Sequence, residues 1–396
     1  VRRAPALALV AAMAVFAIFA VTYALSIPVG SSADEHSHLA YAQLIAGHAS
    51  LPGALVPERQ QPPLYYLMAA ALLRIQAPPV ALRFLSILLG VIAVLLVARI
   101  ASLLAPRRPW LAVSTAAALA LLPGFQFVSA SITDDSLAAA AGALLLLVTT
   151  QVALADLPRR GLLWLIGVSV GVGLISKETD LPLIIVLGAV ALWHWRGHLS
   201  PGQLVPVAVP IAAISGWWYA RNLVAFHRLL PPLTPLGVPP SRLRNLAQLR
   251  VFLSQTMYGL FTPERYQGSP LILPPAGRAL MAFFAAALLA GLVVGVVLLV
   301  RAWPRWPRGR QTAVVAYALA AAGALALSLA NAVVVVFQPQ GRYLLVAATG
   351  PLLLLVWGVA RGARRRRGIA VAAAAYVAGA ISLSIFGLTT AIAISG

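Results

Sequence analysis

Stretches of about twenty apolar residues, the length that crosses a bilayer as a helix, recur along this chain from its first residues to its last. The segments between them are mostly short and carry few charges, so no water-soluble packing could hide the apolar runs behind a polar surface. Only 10% of the 396 residues are charged and 61% are hydrophobic, which makes lipid the solvent for most of the molecule. The net charge of +20 does not mark a nucleic-acid partner. Its arginines sit in short clusters between apolar runs, where membrane topology accounts for them. There is no Cys, which excludes disulfides, a thiolate nucleophile and a Cys-ligated metal. Arg carries the basic charge with a single lysine, Lys177, and Ala is abundant, a composition expected of a GC-rich bacterial genome.

The expected fold is all-α and polytopic, with about eleven spans in one transmembrane domain over residues 1–396. They are Ala6–Ile27, Leu82–Leu104, Trp110–Ala130, Ser136–Ala155, Gly161–Ile175, Leu181–Trp195, Leu204–Arg221, Ala279–Val300, Thr312–Val336, Leu344–Ala360 and Ile369–Ile392. The first follows Arg2-Arg3 and lacks a small-residue cleavage site after it, so it reads as a retained helix rather than a signal peptide. Pro62–Ile75 would give only about 21 Å of helix against a hydrocarbon core of about 30 Å. If it lies in or re-enters the interface and the N-terminus is cytoplasmic, Arg107-Arg108, Arg159-Arg160, Arg196, Arg301, Arg305, Arg308, Arg310, Arg361 and Arg364 to Arg367 all face the cytoplasm. Residues 28–81 then form a first outer loop with interfacial helices, and 222–278 a long outer loop suited to act as a lid. The expected location is the inner (plasma) membrane.

This topology sends Asp34, Glu35, Glu58, Asp134, Asp135, Glu178, Asp180 and Glu264 outward and leaves only Asp156 inside. Acids have little influence on orientation, so their segregation points independently to an outer site. Ser32-Ala33-Asp34-Glu35 begins a helix that runs to about Gly47, with Leu39, Ala42, Ile45 and Ala46 as its apolar stripe. Ser32 and Glu35 match a capping box, which by itself explains Glu35. Asp34 sits in the first turn, where the helix dipole favours a carboxylate that could act as a general base. His38 follows one turn later, placed to orient Asp34 or share a metal with it. Pro62-Pro63-Leu64-Tyr65-Tyr66 suits a sharp helix start with interfacial tyrosines. In Thr133-Asp134-Asp135, capping of the next helix accounts for one acid but not two; the pair could orient an acceptor or hold a divalent cation.

Lys177-Glu178-Thr179-Asp180 is a polar hinge whose lysine suits a phosphate. Trp217-Trp218-Tyr219-Ala220-Arg221-Asn222 ends a span with an aromatic belt and an Arg fit for a lipid phosphate. Gln338-Pro339-Gln340-Gly341-Arg342-Tyr343 is a short outer turn whose Arg runs against the positive-inside bias and offers a fork to phosphate oxygens.

In order, these segments resemble the GT-C glycosyltransferases. An outer-loop Asp-Glu pair, a PPLYY segment, an Asp-rich turn after the third span and a Lys-bearing turn two spans later are most similar to the branch that uses polyprenyl-phosphate sugars. That branch includes protein O-mannosyltransferases and the lipid A aminoarabinose transferase. WWYARN and QGRYLL look more like a related group of bacterial membrane proteins. The resemblance implies transfer of a hexose or pentose, with inversion, from a polyprenyl-phosphate carrier to an acceptor glycan, lipid or protein on the non-cytoplasmic face. It makes Asp34 the general base and Asp134 or Asp135 the second catalytic acid position. Lys177, Arg221 and Arg342 would contact donor phosphate, with Glu35, His38, Tyr65, Glu178 and Tyr343 completing the substrate-binding set. No cofactor is required; a divalent cation is compatible, with Asp34, His38 and Asp134 as candidate ligands. The family often carries a soluble domain after its last span, which this sequence does not show. The rival readings are a transporter or flippase of lipid-linked sugars, which should hold ionisable groups near mid-membrane, an O-antigen-ligase-like enzyme, and a scaffold.

Overall fold

In the computed structural model, which describes residues 3–48, 51, 58, 60–231, 242–263, 271–335, 339–362 and 366–395, the apolar runs are helices and no strand occurs among the described residues. Seven are long and apolar enough to cross a membrane, and two pairs bent by 66° and 77° could each make one more. Five of the long ones are α1 (Arg3–Ser26), α4 (Val80–Leu104), α7 (Asp135–Leu154), α13 (Pro275–Ala302) and α14 (Arg308–Val334). The sixth is α10 (Pro201–Ile211) continued through a π-helical turn into α11 (Trp217–Phe226), and the seventh is α16 (Arg366–Ser395). The bent pairs are α5 (Pro109–Ala120) with α6 (Pro123–Ser129), and a 3-10 segment, Gly341–Ala347, with α15 (Thr349–Gly362). Pro123 opens α6 at the first break, where a helix interior cannot hold a proline without losing a hydrogen bond.

The expected eleven spans are therefore not met by length. The other two, α8 (Arg160–Ser176) and α9 (Leu181–His194), have 17 and 14 residues, about 26 and 21 Å of helix. Contacts at both ends nevertheless stretch them along the whole of α7. Lys177, just past α8, pairs with Asp134 and Asp135 at the start of α7. His194 and Trp195, closing α9, bond the carbonyl of Ala155 just beyond α7, at 3.0 and 3.1 Å.

α7 is the central helix and is almost wholly enclosed. Lipid tails are as apolar as leucine, so packing between spans depends on close approach rather than on hydrophobic exclusion. Gly142 supplies such an approach: a Cβ there would lie 2.5 Å from the carbonyl oxygen of Val346 in the 3-10 segment. Gly341 does the same at the other side of that segment, where a Cβ would come within 2.5 Å of the Thr256 carbonyl on α12 (Leu246–Gly259). The segment that carries Arg342 is thus clamped between α7 and the helix of the long 222–278 loop.

The first outer loop holds two helices, as expected, α2 (Glu35–His48) and α3 (Leu64–Arg74), which pack on each other. α3 has 11 residues, too few to span. Two readings of this loop need correction. Glu35 is fully buried, and although its carboxylate meets the Ser32 amide at 3.5 Å, its main partner is Arg83 of α4, with both contacts at 2.7 Å. Glu35 also accepts from the amides of Gly30 and Ile132. With its oxygens so occupied, Glu35 is a structural anion rather than a simple cap or a substrate ligand. Tyr65 and Tyr66 are likewise fully buried, not interfacial. The Tyr65 hydroxyl meets Ser86 at 2.9 Å and accepts from the Thr133 amide, so it holds the acid turn in place instead of facing substrate. Glu264 and Arg265 of the long loop, Gln338 of the short turn, and Arg2, Arg364 and Arg365 lie outside the described residues.

Candidate active site

Arg83 fixes the ground on which the site is built. Its guanidinium donates to the carbonyls of Ala24, Ile27 and Pro28 as well as to Glu35, and so ties the end of α1 to the start of α2. The residue between these anchors, Asp34, takes a left-handed φ of 56°, unusual for a side chain with a Cβ. Its carbonyl accepts the first bond of α2, from the His38 amide at 3.0 Å. Its carboxylate is the most accessible of the ion-paired acids, 24% exposed, and is bound by Arg342.

Arg342 is buried and joins the two acidic segments. It binds Asp34, donates to Gln340 at 3.0 and 2.7 Å, and reaches Asp135 at 3.3 Å. Lys177 completes the bridge, 2.6 Å from Asp134 and 2.7 Å from Asp135. The Tyr343 ring lies beside both cations, 5.5 Å from the Lys177 ammonium and 5.6 Å from the Arg342 guanidinium. Capping at the start of α7 falls to Thr133 and not to Asp134. The Thr133 hydroxyl accepts from the Asp135 amide and donates to its carboxylate, while Asp134 makes no cap bond and turns to Lys177.

The aromatic wall behind the carboxylates comes from the first outer loop. The Tyr66 hydroxyl donates to Asp134 at 3.4 Å and meets His38 Nδ1 at 2.7 Å; Tyr41 stacks on Tyr66 at 3.9 Å. His38 thus serves Tyr66 and stands 4.0 Å from Asp134 by its other nitrogen. Glu178 is exposed on the turn beyond Lys177. Arg221 lies over the rings of Trp218 and Phe226, bonds Asn222 and is felt electrostatically by Tyr41 at the edge of the wall. Asp34, His38, Asp134, Asp135, Lys177, Arg342 and Tyr343 are therefore brought together. Glu35 and Tyr65 support them from behind.

Asp34, His38 and Asp134 do not form a ligand set. Among the described residues no three His, Asp or Glu side chains are placed to hold a metal, and Lys177 and Arg342 already pair with Asp134 and Asp34. A cation binding here would have to displace one of them.

Three residues of the site carried no local signal of their role. Tyr66 and Gln340 were legible only as an aromatic doublet and a turn residue. Glu58, at φ 61°, was counted as an outer acid; Gln60 donates to its carboxylate at 3.4 Å, and it lies within the electrostatic reach of His38, Asp34, Asp134 and Lys177. Burial pushes the Glu58 carboxyl above its ordinary value. Asp180 is also buried, with neither oxygen hydrogen-bonded among the described residues, and burial lifts it well above the usual carboxylate range.

The cationic partners act in the opposite sense. Burial pushes Asp34 up, but Arg342, His38 and Lys177 outweigh it and hold the carboxyl below its ordinary 3.8. Burial pulls Lys177 down, but Asp134 and Asp135 outweigh that and hold it above 10.5. A depressed acid contributes stability above its unfolded value and loses it as pH falls through the lower folded value. A raised lysine contributes below its unfolded value and loses it only as pH climbs through the higher one. Both ion pairs thus persist across the neutral range. In the resting protein the Asp34–Arg342 pair should therefore contribute no fall in kcat/KM between pH 7 and about pH 5, since that ratio reports the free enzyme. A fall in kcat/KM over that interval that Asp34→Asn removes would contradict the pairing.

The arrangement of helices as a whole makes a GT-C-like fold. The apo crystal structure of ArnT from Cupriavidus metallidurans matches with a TM-score of 0.58 at 13% identity, over 96% of this chain and 75% of that one. The Archaeoglobus fulgidus oligosaccharyltransferase, in complex with Zn and sulfate, matches with a TM-score of 0.51 at 13% identity, over 95% of this chain and 53% of that one. This chain thus spans about half the length of the archaeal protein, and at such identities the likeness is one of fold. Residues 60–219 match the dolichyl-phosphate-mannose-protein mannosyltransferase family. No curated protein matches the chain. The resemblance to the GT-C superfamily read from the sequence is thus borne out, in fold along nearly the whole chain and in sequence over the segment that carries PPLYY, the acid turn and Lys177.

Proposed function

We propose that this protein is an inverting membrane glycosyltransferase that moves a sugar from a polyprenyl-phosphate carrier to an acceptor at the acidic end of the bundle. That end faces the non-cytoplasmic side of the inner membrane, with the N-terminus in the cytoplasm. The single observation that carries the reading is Arg342 bridging Asp34 to Asp135 beside Lys177. A base and two phosphate-binding cations thus share one spot. Among the described residues every buried charged side chain belongs to this end, which favours a surface enzyme over a transporter with mid-membrane charges.

Paired to Arg342, Asp34 is a weak base. A donor phosphate entering beside Lys177 competes for Arg342, and as the guanidinium turns to it, Asp34 regains basicity. The acceptor oxygen or nitrogen then attacks the anomeric carbon, its proton passing to Asp34. The bond from that carbon to the phosphate oxygen breaks, and its electron pair leaves with the carrier phosphate, stabilised by Arg342 and Lys177. The acceptor is a glycan, lipid or protein, and α12, which backs the Arg342 turn, is part of its cover. The chemistry needs no organic cofactor, and a divalent cation is not required.

Arg342→Lys tests the donor role, because a lysine keeps the charge but loses the fork. It is expected to lower kcat/KM for a polyprenyl-phosphate sugar by about 10²-fold. Unchanged kcat/KM would remove Arg342 from donor binding.

A further inference from the structure

At the end of the bundle opposite the carboxylates, α5 and α14 begin and α13 and α15 finish. Between them lies a cavity of about 730 Å³, large enough for a substantial ligand. Leu111, Leu292, Val296 and Leu354 give it apolar walls. Trp306 and Trp357 meet edge to face at 5.5 Å on one side. Arg107, Arg108, Arg310 and Arg361 line it as well, and no acidic residue among those described does.

The positive-inside bias accounts for arginines at this end of the spans. It does not account for four of them converging on one apolar cavity. None of the four forms an ion pair among the described residues. Arg361 is held over the Trp357 ring, 5.9 Å from its centre, which leaves the guanidinium edge available. Val296 is 43% exposed, so the apolar wall runs out to the lipid-facing surface of α13. The complement of such a site is an anion that carries an apolar tail and enters sideways from the bilayer.

We propose that this cavity binds an anionic phospholipid of the surrounding leaflet. The phosphate lies on the Arg310 and Arg361 forks, Arg107 and Arg108 add to the field, and one acyl chain runs along Leu292 and Val296. A zwitterionic lipid has the same chains, but its ammonium group would face four uncompensated arginines.

The full chain in detergent, titrated with phosphatidylglycerol or phosphatidylcholine and read by native mass spectrometry, tests this. Phosphatidylglycerol should be retained with a preference on the order of 30-fold, from about two well-placed arginines. R310Q/R361Q should lose most of that preference. Val296→Trp, which fills the apolar wall without touching a charge, should cut phosphatidylglycerol retention even if the double variant does not fold. Millimolar inorganic phosphate should not displace the lipid. Equal retention of the two lipids, a preference untouched by both variants, or displacement by inorganic phosphate would each overturn the assignment.

Discussion

Asp34→Asn is expected to reduce sugar transfer by about 10²–10⁴-fold, the range lost with a positioned general base, while the protein still purifies and unfolds as wild type does. Asn keeps the size of the side chain and a carbonyl oxygen for Arg342, so the Asp34 turn should survive. The effect should fall on kcat more than on donor KM, because the proton is taken in the transition state and not on binding. Asp135→Asn should behave differently. Asp135 is buried and bound by Lys177, Arg342 and Thr133, so its loss should loosen both cations and raise donor KM. If Asp34→Asn turned over normally across a range of polyprenyl-phosphate sugars, Asp34 would not be the base.

The second large effect concerns stability. Arg83 and Glu35 are both fully buried, and Arg83→Met would leave the Glu35 carboxylate without its countercharge, although still bonded to the amides of Gly30, Ser32 and Ile132. Removing one partner of a buried pair costs about 3–5 kcal/mol, while replacing both with apolar groups is far less costly. Denaturant unfolding in micelles should therefore show Arg83→Met strongly destabilised and Arg83→Met/Glu35→Met recovering much of the loss. Activity should not return with stability in the double variant. Glu35 accepts from the Ile132 amide, and this contact sets Asp34 beside the turn that bears Asp134. A loss below about 1 kcal/mol in the single variant would mean that Arg83 finds no low-dielectric environment here.

The contrast between these residues shows what a sequence can carry. Spans were legible because each apolar run is a local property, and acids at one end were legible because arginines fix orientation. The bends were not, since a hydropathy window passes over Pro123 and over the 77° turn before α15 as readily as over straight helix. Glu35 satisfied a local capping pattern and makes a marginal 3.5 Å contact of that kind, yet a residue 48 positions away claims its carboxylate. Tyr65 and Tyr66 looked interfacial because aromatic belts are common, and only α2 folding over them reveals a buried wall. Lys177 and Asp134 are 43 positions apart, and Arg342 and Asp34 are 308 apart. Nothing local links them. The ordered resemblance put these segments in one expected site but not in these pairs, since it gave both cations to a donor phosphate.

Sugar transfer from a lipid-linked phosphate carrier rests on Asp34. Its most direct test is to incubate the purified chain with a labelled polyprenyl-phosphate sugar and a cell-envelope acceptor extract, and to follow release of polyprenyl phosphate together with the anomeric configuration of the product. Wild type should release the carrier and give inverted product, Asp34→Asn should do neither above background, and nucleotide sugars should give no transfer. Transfer from a nucleotide sugar, or product with retained configuration, would contradict it.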